Sequence, residues 1–174
     1  MKSENKKNIS ILLTEYSDRF SKLTQLFTAS KYTHASIGIE EHNDRFYSFL
    51  TKGFRTEKPG IFAKFTNSGK SCALYNLEVT EDVYDKVKAQ LDEFKNNSKQ
   101  YRYSFFGTIL CFLRIPHKFK HRYFCSQFVA EILSSSGAIE LNKRPSLYQP
   151  KDFAKEPRLL LCFTGTLEEL AQAI

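Results

Sequence analysis

The stretch "YTHASIGIEEHNDRFYSFLT", residues 32 to 51, decides what kind of sheet this chain builds. "THASIGIE" is a short run carrying Ile37 and Ile39, the composition of a buried strand. Glu41, His42, Asn43 and Asp44 follow as a polar turn signal, and "RFYSFLT" resumes with aromatic residues. Two strand-like runs joined by a turn read as a β-hairpin over 33–51, so the sheet has antiparallel pairing at its heart.

Working outward, "NISILLT" (8–14) reads as a strand before the hairpin. "SDRFSKLTQLF" between them has Phe20, Leu23 and Phe27 at helical spacing, with Ser17 at the N-cap position. Residues 53–71, rich in Gly and Lys, read as a long loop with some strand, and "SCALYNLEV" as a third strand. Thr80 then caps a helix with Glu81 and Asp82 in its first turn, where the dipole favours acids. Val83, Val87, Leu91 and Phe94 line one face of that helix, and "NNSKQ" ends it. "YSFFGTILCFLRI" reads as an apolar, buried helix stopped by Pro116. "PHKFKHR" is a basic connection into "RYFCSQFVAEILSSSG" (122–137), a helix ending at Gly137. "SLYQPKDFAKEP" is turn-rich, "RLLLCFTG" a late strand and "TLEELAQAI" a terminal helix. Strands at both ends and in the middle with helices between predict an α+β fold, and 174 residues suit one domain over 1–174.

Hydrophobic residues make up 41 % of the chain, enough for a sizeable core. The formal net charge of +7, from 26 Lys and Arg against 19 Asp and Glu, favours anionic surfaces or substrates without naming one. The run "ISILL" is too short for a signal-peptide core, and no stretch reaches the length of a membrane span. The expected location is therefore cytoplasmic, with Cys72, Cys111, Cys125 and Cys162 as reduced thiols.

Cys125 stands in or just before the first turn of its helix. Orphan N–H groups and the helix dipole there lower a thiol's pKa, and the thiolate is the nucleophile. Such a cysteine needs a base, usually histidine. His42 falls in a turn. His117 and His121 are flanked by Lys118, Lys120 and Arg122, which oppose imidazolium formation. His34 opens an apolar strand, with Ser36 and Gly38 leaving room beside it, so it is either a base or a satisfied structural histidine. A metal site on His117, His121 and Cys125 would need a continuous helix through a proline-led basic run with no fourth ligand, so no metal or cofactor is implied.

Taken together, "THASI", "YSF", "GF" and "FCSQFV" resemble, in order and spacing, the circularly permuted papain-like proteins. These are the permuted NlpC-like group that includes lecithin retinol acyltransferase, and the likeness is nearest to bacterial members of the YiiX/YycO-like type. It spans most of residues 8 to 155. The resemblance implies a permuted papain-like fold with an antiparallel sheet packed on helices, Cys125 as nucleophile and His34 as general base. This chain departs from the pattern at Gln127, where an acid is common, and at Phe124, where tyrosine is usual.

A third group should orient the histidine, and strand parity narrows the choice. One register places Phe46, Ser48 and Leu50 on the face of His34; the slipped register places Arg45, Tyr47 and Phe49 there. Glu40 shares strand and face with His34 but lies about 20 Å away at roughly 3.3 Å per residue. The resemblance points to the "YSF" strand, so Ser48 is the chosen third catalytic candidate, with Tyr47 as the alternative.

The resulting expectation is a thiol hydrolase (peptidase, amidase or thioesterase) or an acyltransferase. It would act on a small-molecule, lipid or peptide substrate with an acyl or amide bond, through a thioester on Cys125. The backbone N–H of Cys125 would help hold the oxyanion. The competing expectation is a degenerate binding module on the same fold. Its basic segments "KGFRTEK" and "RIPHKFKHR" would hold an anionic partner, nucleic acid or lipid head groups.

Overall fold

The computed structural model describes residues 5–15, 30–42, 44–61 and 70–174. The amphipathic segment with Phe20, Leu23 and Phe27 lies outside the described residues. The elements in chain order are β1 (Lys6–Thr14), β2 (His34–Ile39), β3 (Phe46–Leu50), β4 (Gly53–Glu57) and β5 (Ser71–Thr80). Then come α1 (Glu81–Asn96), β6 (Arg102–Tyr103), α2 (Phe105–Phe112), β7 (Arg122–Tyr123) and α3 (Cys125–Ser135). The chain closes with α4 (Pro150–Phe153), β8 (Leu160–Thr166) and α5 (Leu167–Ala173). This is a mixed helix and antiparallel-sheet architecture, the α+β class expected from the pattern of elements.

The main sheet has the order β4-β3-β2-β1-β5-β8, and every neighbouring pair in it is antiparallel. Two hairpins build its left half. The chain leaves β2 through a single 3-10 turn at Glu40–His42 ahead of β3, and β3 returns as β4 through Thr51 and Lys52 into Gly53. At Gly53 φ is +97°, a conformation that favours glycine and closes a tight hairpin. So the first part of the segment read as a loop, 53 to 57, is an edge strand.

Alternation divides the sheet into two buried faces. Ile9, Ile11, Leu13, Ala35, Ile37, Tyr47, Phe49 and Leu77 point one way, onto Val87, Leu91 and Phe94 of α1 and Phe128, Val129 and Ile132 of α3. The centre of this layer is aromatic: Phe49 packs edge-on or tilted against Phe54, Phe94, Tyr123 and Phe128, at centroid separations from 5.2 to 6.0 Å. The opposite face carries Leu12, Phe46, Cys72 and Leu74, packed on Leu167 and Leu170 of α5. Thr166 and Glu169 form a reciprocal capping box that fixes where α5 begins.

Helix α2 differs from its expectation as a buried helix. It spans eight residues, and only Gly107, Thr108 and Cys111 are buried. Phe106 is 74 % exposed and Leu113 63 %. It also stops before Pro116. Arg114 has φ +59°, and the N–H groups of Arg114 and Ile115 return to the carbonyls of Cys111 and Leu110. That is a Schellman end with an arginine where glycine is usual.

Candidate active site

Cys125 is the first residue of α3. Phe124 before it is extended (φ −106°, ψ 164°) and offers no capping side chain, so the orphan N–H groups of the first turn have no cap from that position. The helix start is pinned from the next residue: the Ser126 hydroxyl donates to the carbonyl of Tyr148 at 2.7 Å. Parallel pairing of β7 with β6 holds the chain entering the helix.

Strand β2 supplies the second component. Its backbone pairs with β3 at Ile37↔Tyr47 and Gly38↔Phe46. At Ala35 the backbone takes side-chain partners. The Ala35 carbonyl accepts from the Ser48 hydroxyl at 2.7 Å, and its N–H approaches the sulfur of Cys125, as does the N–H of Ser126. The thiol therefore meets β2 where the strand has exchanged a ladder partner for side chains, beside His34. The side chains of Cys125 and His34 interact with each other, and both are buried, at 8 % and 3 % exposure.

The other side of the ring carries a carboxylate. His34 Nε2 lies 2.9 Å from Oε1 and 3.1 Å from Oε2 of Glu57, which is itself 7 % exposed. With Nε2 engaged by Glu57, Nδ1 is the ring nitrogen left for the thiol. The three groups form a chain from carboxylate to imidazole to thiol, drawn from β4, β2 and the start of α3.

The electrostatics follow from this order. Burial works against an imidazolium at His34, but the charge of Glu57 and its bonds to Cys125 and Glu57 override it, and the pKa is pushed up to about 10. Burial likewise pushes the Cys125 thiol up, yet the bond to His34 and its charge hold it below the ordinary range, with help from the Ala35 and Ser126 N–H groups. Cys72 and Cys111, where burial is the largest cause and no imidazole stands beside the sulfur, are both pushed up to about 12. The two shifts run in the directions that favour a thiolate beside an imidazolium.

Of the residues singled out in the sequence, Cys125 and His34 come together and Ser48 does not join them. The register is the one that puts Phe46 and Ser48 on the side of Gly38 and His34, and Tyr47 packs in the core on the opposite face. Ser48 spends its hydroxyl on the Ala35 carbonyl, so Glu57 and not Ser48 is bonded to the imidazole. Glu57 escaped sequence reading because the reading of 53–71 as a long loop with some strand assigns no strand pairing or register to it. The signal was Gly53: a tight turn there pairs Phe46 with Glu57 and gives Glu57 the parity of His34's face. His117 and His121 lie in the exposed connection, not on one helical face with Cys125. Among the described residues no cluster of His, Cys, Asp and Glu has the arrangement to hold a metal ion.

Gln127, at the position noted as departing from the pattern, is 1 % exposed, and its Nε2 has no partner. Its amide is neutral, where an acid would place a buried charge in the first turn of α3. In comparison with known proteins, the chain matches no family model and no curated sequence.

Proposed function

We propose that this protein is a cysteine hydrolase or acyltransferase of the permuted papain-like kind, with Cys125 as nucleophile, His34 as acid and base, and Glu57 as the group that orients and charges the imidazole. The observation that carries this reading is that His34 is hydrogen-bonded to Glu57 and also interacts with the Cys125 thiol, all three buried. A buried imidazole bridging a carboxylate and a helix-start thiol is costly to assemble for packing alone, and a satisfied structural histidine needs no thiol. The order of the pair, histidine on an early strand and cysteine on a later helix, supports the permuted arrangement.

In the proposed reaction the Cys125 thiolate attacks the carbonyl carbon of an acyl or amide substrate, and the electron pair moves onto the carbonyl oxygen. The first-turn N–H groups of α3, that of Cys125 among them, face that oxyanion; losing one such donor typically costs about 10²- to 10³-fold in rate. As the tetrahedral species collapses, the His34 imidazolium gives its proton to the leaving amine or alkoxide, and a thioester remains. Water, or an acceptor amine or alcohol, then attacks the thioester while His34 takes back a proton, and the thiolate leaves. Glu57 stabilises the imidazolium.

The test is the alkylation rate of each cysteine by iodoacetamide as a function of pH, read by peptide mass spectrometry. In the native chain Cys125 alone reacts fast below neutral pH. In His34→Ala, and in His34→Gln, which retains a hydrogen-bonding partner for Glu57, the rate at pH 6 falls by about 10- to 100-fold, as expected when a thiol pKa returns toward its ordinary value. A Cys125 that reacts no faster than an accessible thiol, with or without His34, ends the proposal.

A further inference from the structure

From Phe94 to Ala130 the chain has no acidic residue, while it carries Lys95, Lys99, Arg102, Arg114, Lys118, Lys120 and Arg122. Among the described residues only Lys118 of these seven forms a salt bridge, to Glu131. Helix α2 lies inside this tract. Its outward stripe is Phe105, Phe106, Ile109 and Leu113, and Ile115 extends it past the helix end; all five are at least 46 % exposed. Exposed apolar side chains scattered singly are ordinary, but five on one helix and its exit form a patch.

The cationic component is gathered as well. Lys52 and Arg55, from the hairpin of β3 and β4, meet Lys99 and Arg102, from the approach to α2, around one cavity of about 390 Å³. Arg102 stands two residues before Ser104, whose hydroxyl caps α2 by accepting from the Gly107 N–H. An apolar helical stripe with a rim of unpaired cations matches the layering of an anionic bilayer, with acyl chains below and phosphates above. Aliphatic Ile109, Leu113 and Ile115 contribute nothing to the stacking and phosphate contacts that single-stranded nucleic acid uses.

We infer that the exposed face of α2, with the cationic cavity at its N-terminal side, docks this protein onto the surface of an anionic lipid bilayer. The docking is interfacial, since no helix among the described residues is long and apolar enough to cross a membrane. The inference does not rest on the thiol chemistry, but it bears on where that chemistry occurs. The buried side of α2 packs beside the nucleophile: a side chain at Gly107 would touch Phe124, and Cys111 bonds the same Tyr148 carbonyl as Ser126.

The experiment is sedimentation of the whole chain with vesicles of phosphatidylcholine alone, and of phosphatidylcholine with about one-third phosphatidylglycerol, at rising salt. The expected result is binding to the anionic vesicles at least about tenfold tighter than to neutral ones, weakening as salt screens the cations. Phe106→Ser with Leu113→Ser, and separately Arg114→Glu with Lys120→Glu, should each weaken it by about tenfold or more while circular dichroism and Cys125 alkylation stay unchanged. Absence of anionic-vesicle binding overturns the inference. So does binding that both double variants leave intact. Tighter capture of a single-stranded oligonucleotide than of the vesicles, unaffected by the Phe106 and Leu113 changes, overturns it in favour of a nucleic-acid surface.

Discussion

Glu57 and Ser48 sit on the same side of one hairpin and do different work. Glu57 acts on the charge of His34, while Ser48 satisfies a backbone carbonyl where β2 meets Cys125. Glu57→Gln should keep a hydrogen bond to the ring but remove the charge that favours the imidazolium. Alkylation of Cys125 at pH 6 should fall about tenfold and recover above the ordinary thiol pKa. Ser48→Ala should leave that pH profile in place and lower stability by about 1–3 kcal/mol, the cost of a buried acceptor left unpaired, read by urea denaturation. The reverse pattern would return the orienting role to Ser48.

The pair also predicts how stability follows pH. His34 has a raised pKa, so its contribution is complete below 6.5 and is lost as pH rises through about 10. Cys125 has a depressed pKa, so its contribution is complete above its ordinary value of 9.0 and is lost as pH falls through its folded value. Above both 6.5 and the folded value of Cys125, and below 9, the native pair holds one proton and the unfolded pair also holds one, so the two trends cancel. Stability from this site should therefore plateau there and decline on either side, by roughly 1 kcal/mol per pH unit for each unmatched proton. Cys125→Ser removes the thiolate and should replace the plateau with a steady decline from pH 6.5 upward, measured as the urea midpoint against pH.

At the scale of elements, α2 tests whether local propensity or local packing rules. Helix propensity alone makes Gly107→Ala a gain of about 1 kcal/mol. But a Cβ there would lie 2.4 Å from the Ser104 hydroxyl and 3.1 Å from its Cβ, displacing the cap of the helix. The substitution should destabilise the protein by about 1–2 kcal/mol, the usual range for a lost N-cap, in a denaturation experiment. The same helix shows why the pattern of elements was legible while the burial of some was not. The strands of residues 33–51, the acidic first turn of α1 and the glycine end of α3, Gly137 at φ +80°, are set by local chemistry and could be read directly. The exposure of Phe106 and Leu113 depends on what packs against α2, and an apolar run carries no mark of that. Glu57 was hidden for a related reason: its place depends on register across two strands, and a loop-with-strand reading of 53–71 fixes no register. Cys125 and His34 were legible as candidates because a helix-start thiol and a strand histidine have few equivalents in this chain; their meeting was not.

At the scale of the whole molecule, the chain combines a buried network of Cys125, His34 and Glu57 with an exposed basic, apolar surface at α2. Arg114 is where the second of these works against stability. A side chain at φ +59° costs about 1–2 kcal/mol relative to glycine, yet the position that ends α2 holds an arginine beside the exposed stripe. Arg114→Gly should therefore raise stability by about 1 kcal/mol in thermal or urea unfolding. If the arginine is retained for the surface it faces, the same change should weaken anionic-vesicle binding by about fivefold, since a cation at a charged bilayer contributes about 1 kcal/mol. The Cys125 alkylation profile should not move, because Arg114 touches neither the thiol nor its partners. A variant that gains stability and binds vesicles as well as the native chain would remove Arg114 from the docking surface. One that gains stability and loses binding would identify a strained residue whose cost is offset only at the membrane.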